Sequence, residues 1–104
     1  MYNTVIIIPY RNRQIQLNEY ILKTVPLIEK YMPNTLVLIV EQFNDNKLFN
    51  RGYLLNIGFK EFENNSKYFI THDVDINPTQ LFIEEYYNNE VDWFVCLLSP
   101  GLFD

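Results

Sequence analysis

A single cysteine, Cys96, stands in the 104-residue chain, so no internal disulfide can form and nothing requires an oxidising compartment. Alanine is absent altogether, while Asn, Ile, Tyr and Lys are abundant. That bias reads as the codon usage of an AT-rich genome and carries no structural message. Basic side chains are scarce: 8 Lys and Arg against 13 Asp and Glu leave a formal charge of -5 and a pI near 4.7. This excludes the electrostatic footprint of a nucleic-acid-binding protein. No apolar run approaches the ~18 residues of a membrane span. Met1-Tyr2-Asn3 carries no basic side chain and Val5 to Ile8 is too short for an h-region, so no signal peptide is expected here. With no targeting signal in view, the location is read as cytoplasmic or left unassigned. Internal repeats and low-complexity linkers are missing too.

What remains is a chain rich enough in apolar residues, 48%, and in aromatics, 16%, to build one core; the length fits one domain, residues 1–104. Thr4 to Ile8 is a β-branched run stopped by Pro9, the mark of a strand buried on both faces. Leu17, Ile21, Val25, Ile28 and Met32 then draw an apolar stripe along a helix. Pro26 inside it predicts a kink or two short helices. Thr35 to Val40 reads as a second buried strand, Gln42 to Lys47 as a loop, and Arg51 to Phe62 as a helix with Leu54, Leu55, Gly58, Phe59 and Phe62 on one side. Tyr68 to Thr71 is a third strand, Pro78 to Tyr87 a weaker helix, and Trp93 to Leu98 a fourth strand. This alternation predicts an α/β fold with a mostly parallel sheet of about four strands flanked by helices. Right-handed crossovers place the strand C-termini on one edge, where ligands of such sheets bind.

Three polar clusters fall on that edge: Pro9 to Arg13, Gln42 to Arg51, and His72 to Asp75. Asp73 and Asp75, at i and i+2, supply hard oxygens suited to Mg²⁺ or Mn²⁺ shared with a diphosphate; a helix-capping turn is the plainer alternative. Arg11 and Arg13 could fork onto phosphate or remain solvated. His72 could touch metal or substrate, or simply hydrogen-bond to backbone. Asp73, Asp75, Asn77 and Glu84 imitate an EF-hand loop, but Pro78 occupies its glycine position and a strand precedes it, so calcium binding by this route is excluded. Asn64-Asn65-Ser66 is a glycosylation sequon by pattern alone.

Taken together the clusters resemble the β-1,4-galactosyltransferase family (glycosyltransferase family 7). Its P-F-R-N-R segment stands here as Pro9-Tyr10-Arg11-Asn12-Arg13. Its F-N-R-x-x-L-L-N-x-G-F segment is matched by Phe49-Asn50-Arg51, Leu54-Leu55-Asn56 and Gly58-Phe59, with Gly52 where Ala is usual. Its D-V-D followed by Pro is matched by Asp73-Val74-Asp75 and Pro78. His72 resembles the branch that acts on xylose-linked acceptors. The resemblance implies a Rossmann-like GT-A fold and an inverting transfer from UDP-galactose, or a related UDP-hexose, to a glycan or glycoconjugate acceptor, with Mn²⁺. It implies that Pro9, Tyr10, Arg11, Arg13, Phe49, Asp73 and Val74 contact the nucleotide and that Asp75 ligates the metal. The family's domain is more than twice this length, and neither its acceptor-binding W-G-W-G-x-E-D segment nor its later metal-binding His occurs here, so no catalytic residue is assigned. The expectation is a donor-binding N-terminal half, incomplete by itself and prone to self-association through an exposed edge at Trp93 to Leu98. The alternative is a nucleotide-sugar-binding module without catalysis. A phosphotransferase of the haloacid-dehalogenase type, which carries D-x-D on its first strand, fits less well.

Overall fold

The computed structural model describes residues 1–75 and the two-residue strand Val95–Cys96. The segment Pro78 to Tyr87, and Trp93 to Leu98 apart from those two residues, lie outside it. Strand β1, Tyr2–Tyr10, is the centre of a parallel sheet. It pairs on one side with β2, Thr35–Glu41, from Thr4 opposite Thr35 to Tyr10 opposite Glu41. On the other side it pairs with β3, Ser66–Thr71, as far as Ile7 opposite Thr71. Val95–Cys96 (β4) lies parallel to β3 beside Ile70 and Thr71.

Pro9 does not stop the first strand; β1 runs one residue beyond it. Ile7 faces β3, since its carbonyl accepts the His72 amide at 3.0 Å, and two residues on Pro9 faces the same way, past the last β3 pair. Its missing N–H therefore forfeits no ladder bond there. The period-2 alternation continues through it, so Tyr10 turns inward with Ile6 and Ile8.

The two faces of β1 seed two cores. Ile6, Ile8 and Tyr10 pack with Tyr20, Ile28, Met32, Ile70 and Val74 under the first helical segment. Val5 and Ile7 pack with Phe69 on the other face, beside Leu36, Leu38, Val40, Leu55 and Phe62. Residues Thr4 to Tyr10 are all buried. In contrast, β2 is half-buried along nearly its whole length because, among the described residues, only β1 pairs with it; the reading of a fully buried second strand is corrected.

The break before Pro26 takes a specific form. Helix α1, Gln14–Glu19, passes through a π-helical turn, Tyr20–Thr24, into α2, Val25–Tyr31. The Val25 amide bonds back five residues to the Tyr20 carbonyl. Proline at the following position can supply no such bond, and the wider turn absorbs the gap. It also moves the buried stripe onto Tyr20, Thr24, Ile28 and Met32, leaving Ile21 47% exposed.

Helix α3 spans Arg51–Phe62, as its periodicity predicts, and starts where the Asn50 side chain accepts the Tyr53 amide at 3.1 Å. Asparagine abundance is not merely compositional after all: Asn12, Asn34 and Asn46 hold all three positive φ angles of non-glycine residues described, at 51°, 62° and 60°. Asparagine tolerates that region better than most side chains.

Gly58 lets α3 sit close on the sheet. A Cβ there would lie 2.8 Å from Ile7 Cγ2 and 3.3 Å from Leu38 Cδ2 and Val40 Cγ2, whereas one on Gly52 would meet nothing within 4 Å. Gly58→Ala is therefore expected to destabilise by about 1–2 kcal/mol, overpacking outweighing its helix propensity. Gly52→Ala should stabilise by roughly 0.5–1 kcal/mol. Urea midpoints check both; the same sign for the two would overturn the close-packing account.

Candidate functional site

The site lies at the C-terminal edge of the sheet, where β1 and β3 end and α3 begins. A pocket of about 440 Å³ opens there. Pro9, Arg11, Asn12 and Arg13 line it from the end of β1, Phe49 and Arg51 from the entry to α3, and Asp73, Val74 and Asp75 from the turn after β3. Of the predicted site residues, then, only Tyr10 is absent from the lining. It is 6% exposed and belongs to the core, because strand alternation points it to the face opposite Pro9. Asn12 and Arg51 are additions. Arg51 stands inside the F-N-R segment, and that motif was the signal for it.

Local chemistry fixes each group. The left-handed Asn12 turns the chain between Arg11 and Arg13, so the two arginines meet different surroundings. Arg11 is largely covered: its Nη1 donates to the Lys47 carbonyl at 2.6 Å and its Nη2 to Asn44 Oδ1 at 3.3 Å. It also lies 3.8 Å from the Asp45 carboxylate. That guanidinium ties the end of β1 to the 42–50 loop. Arg13 is exposed, and its guanidinium donates to the neighbouring Asn12 carbonyl at 3.4 Å. The loop is braced from within by Gln42, whose amide donates to the Leu48 carbonyl at 3.1 Å and accepts from the Asn50 N–H at 2.8 Å. This brace places Phe49 at the pocket. Asp45 accepts from the Lys47 amide at 3.0 Å; that bond foremost, helped by Gln42 and Arg11, holds its carboxyl below the usual range.

The acidic turn is anchored by Val74, 5% exposed and packed in the core, which leaves the flanking aspartates at the pocket. Asp73 accepts a hydrogen bond from Arg51 Nε at 2.8 Å and lies 2.7 Å from Nη2 in an ion pair. Asp75 is exposed. With three arginines and two aspartates, the lining carries a net positive charge on a protein of net charge -5. One exposed carboxylate, Asp75, stands at its rim.

His72 does not reach the pocket. Its side chain is 1% exposed, its Nδ1 is 2.9 Å from the Tyr20 hydroxyl, and the two rings meet edge to face at 5.7 Å. Burial depresses the imidazole to about 4 against a smaller opposing pull from Asp73, and burial pushes the Tyr20 hydroxyl up. Metal or substrate contact through His72 is replaced by a core role. Ser66 of the sequon is also buried, its hydroxyl donating to the Tyr68 carbonyl at 2.8 Å.

Among the described residues there is no group of three or more His, Cys, Asp and Glu side chains able to hold a metal, and no helix is long and apolar enough to cross a membrane.

Against known proteins, residues 1–88 match the N-terminal region of glycosyl transferase group 7. Beta-1,4-galactosyltransferase 1 of Mus musculus is 37% identical over 75 residues, 70% of this chain and 18% of that protein. Beta-1,4-galactosyltransferase 6 of Homo sapiens is 36% identical over 75 residues, 70% and 19% respectively. A beta-N-acetyl-D-glucosaminide beta-1,4-N-acetylglucosaminyl-transferase of Lymnaea stagnalis is 36% identical over 77 residues, 72% and 16%. The chain thus aligns with less than a fifth of the length of each of these relatives.

Proposed function

The chain belongs to glycosyl transferase group 7, and from that premise we propose that its pocket binds a UDP-sugar together with Mn²⁺, as the donor half of a GT-A-type inverting β-1,4-glycosyltransferase. The observation that carries this reading is one pocket with a surplus of guanidinium groups and a single exposed carboxylate, Asp75. A nucleoside diphosphate asks for that combination: fork donors for its oxygens and a hard-oxygen ligand for the cation it brings.

Each residue has a distinct task. Arg13, exposed at the rim, is the guanidinium placed to meet the diphosphate. Pro9 and Phe49 present apolar surface for the base or ribose. Arg11 keeps the 42–50 loop, and with it Phe49, in place. Asp75 would hold the cation. The donor set fits such an ion, because one protein carboxylate is enough for a Mg²⁺- or Mn²⁺-type cation that takes its remaining ligands from water and phosphate. When bound, the metal would offset the charge that gathers on the departing nucleotide.

The names of the relatives differ in the sugar transferred, galactose in two and N-acetylglucosamine in the third; UDP-galactose is the donor proposed first, and UDP-N-acetylglucosamine the comparison. A sugar acceptor is the proposed second partner. Transfer also requires a base for the acceptor hydroxyl. The described lining offers two carboxylates, one paired with Arg51 and the other assigned to the cation, which favours donor binding without catalysis as the second reading.

Calorimetric titration of UDP with and without Mn²⁺, run beside a transfer assay with both donors, tests the proposal. Expected is UDP binding that strengthens at least tenfold with Mn²⁺. Binding without turnover selects the non-catalytic module, and no UDP binding in either condition refutes the donor pocket.

A further inference from the structure

Two aspartates one residue apart on the same turn would ordinarily both serve a divalent cation. Their surroundings here are unequal. Asp73 Oδ1 accepts a hydrogen bond from Arg51 Nε at 2.8 Å and forms an ion pair with Nη2 of the same guanidinium at 2.7 Å, with both side chains about four-fifths covered. Asp75 is exposed and makes no hydrogen bond or ion pair with the other described residues. The pairing is built in. Arg51 is the first residue of α3, whose start is set by the Asn50 cap, and the acidic turn is pinned by the buried side chain of Val74. Helix start and turn, 22 residues apart in sequence, are thereby locked to each other.

Resting on the donor-pocket reading above, we propose that Arg51 is a positioning residue that withholds Asp73 from the divalent cation, so that the cation is centred on Asp75 and binds weakly until a diphosphate arrives. The fixed guanidinium occupies Asp73 Oδ1 and neutralises its charge, leaving a cation near it little to gain. Asp75 alone is a poor chelator. Phosphate oxygens supply the missing ligands, and metal and nucleotide bind as one unit.

Binding of Mn²⁺ alone, read from the electron paramagnetic resonance signal of the free aqua ion, tests this on the full chain, with thermal melts alongside. Arg51→Met should bind Mn²⁺ without nucleotide at least about fivefold more tightly than the parent, because a carboxylate is released and a nearby cation removed. Arg13→Met removes the same charge without releasing Asp73 and should change that affinity less than about twofold. Asp73→Asn, which keeps the turn intact, should lower it by less than about fivefold, since Asp73 is not a ligand and only the uncompensated Arg51 charge opposes the cation. The inference is overturned if Arg51→Met leaves Mn²⁺ affinity unchanged or lower, if Arg13→Met raises it equally, or if Asp73→Asn abolishes it. A merely structural ion pair would lower the melting temperature in both pair variants without moving the metal affinity. Failure of the parent to bind UDP with Mn²⁺ would remove the donor reading and this inference together; normal parent binding with deviant variants would remove only the role of Arg51.

Discussion

Asp75→Asn is expected to weaken Mn²⁺-supported UDP binding by about 10- to 100-fold, the range lost when even an outer partner of a metal site is removed. UDP binding without metal should stay within about twofold of the parent, because Asp75 would meet the nucleotide only through the cation. The substitution removes an anionic oxygen and changes little else. Asp75 is exposed and outside both cores, so the melting temperature should not move. Glu29→Gln, on the exposed side of α2, is a suitable control. Asp45 is not, because it takes part in the Arg11 and Lys47 contacts that order the loop. Calorimetry with and without Mn²⁺ reads the effect. Equal UDP affinity in parent and Asp75→Asn, with Mn²⁺ present, would reduce Asp75 to a turn residue.

How far the sequence speaks for the site can be judged at particular positions. The bounds of α3 could be read because Leu54, Leu55, Gly58 and Phe62 recur at helical spacing. The convergence of β1, α3 and the acidic turn followed from topology: parallel strands joined by helices bring their C-terminal ends to one edge. The core position of Tyr10 is not legible in the sequence, because Pro9 resembles a strand end although its donor-free side lies beyond the last β3 pair and alternation continues through it. The π-helical turn was hidden for a related reason. Periodicity at 3.6 residues favours Ile21, and only the extra residue in the turn puts Tyr20 inside. Tyr20 and His72 are 52 residues apart, and no local pattern announces that a phenol and an imidazole will meet in a core. The Arg51–Asp73 pair is similarly non-local, visible in sequence only as two short motifs with no stated link.

That buried Tyr20–His72 contact supports the second large effect, a loss of stability in mild acid. In the folded chain His72 titrates near 4, chiefly because burial penalises the imidazolium, with Asp73 pulling weakly the other way; unfolded, it returns to about 6.5. Between those values the unfolded chain binds more protons, so stability is complete above pH 6.5 and is lost as pH falls toward 4. Each unit of difference is worth ~1.4 kcal/mol, which sets the full loss at about 3 kcal/mol and the loss at pH 5 at about 2 kcal/mol. Asp45, held low by its hydrogen bonds, acts only further into acid, below the ordinary carboxylate range, so the interval from pH 7.5 to 5 isolates the histidine. Urea midpoints at those two pH values should therefore fall steeply in the parent. His72→Phe should flatten the dependence even if it lowers stability at both values. Tyr20→Phe should keep the slope while costing about 1–3 kcal/mol throughout, since it strips a buried ring nitrogen of its partner. A parent whose midpoint is the same at pH 7.5 and 5, or a His72→Phe variant as acid-sensitive as the parent, would show that the proton taken up on unfolding goes elsewhere.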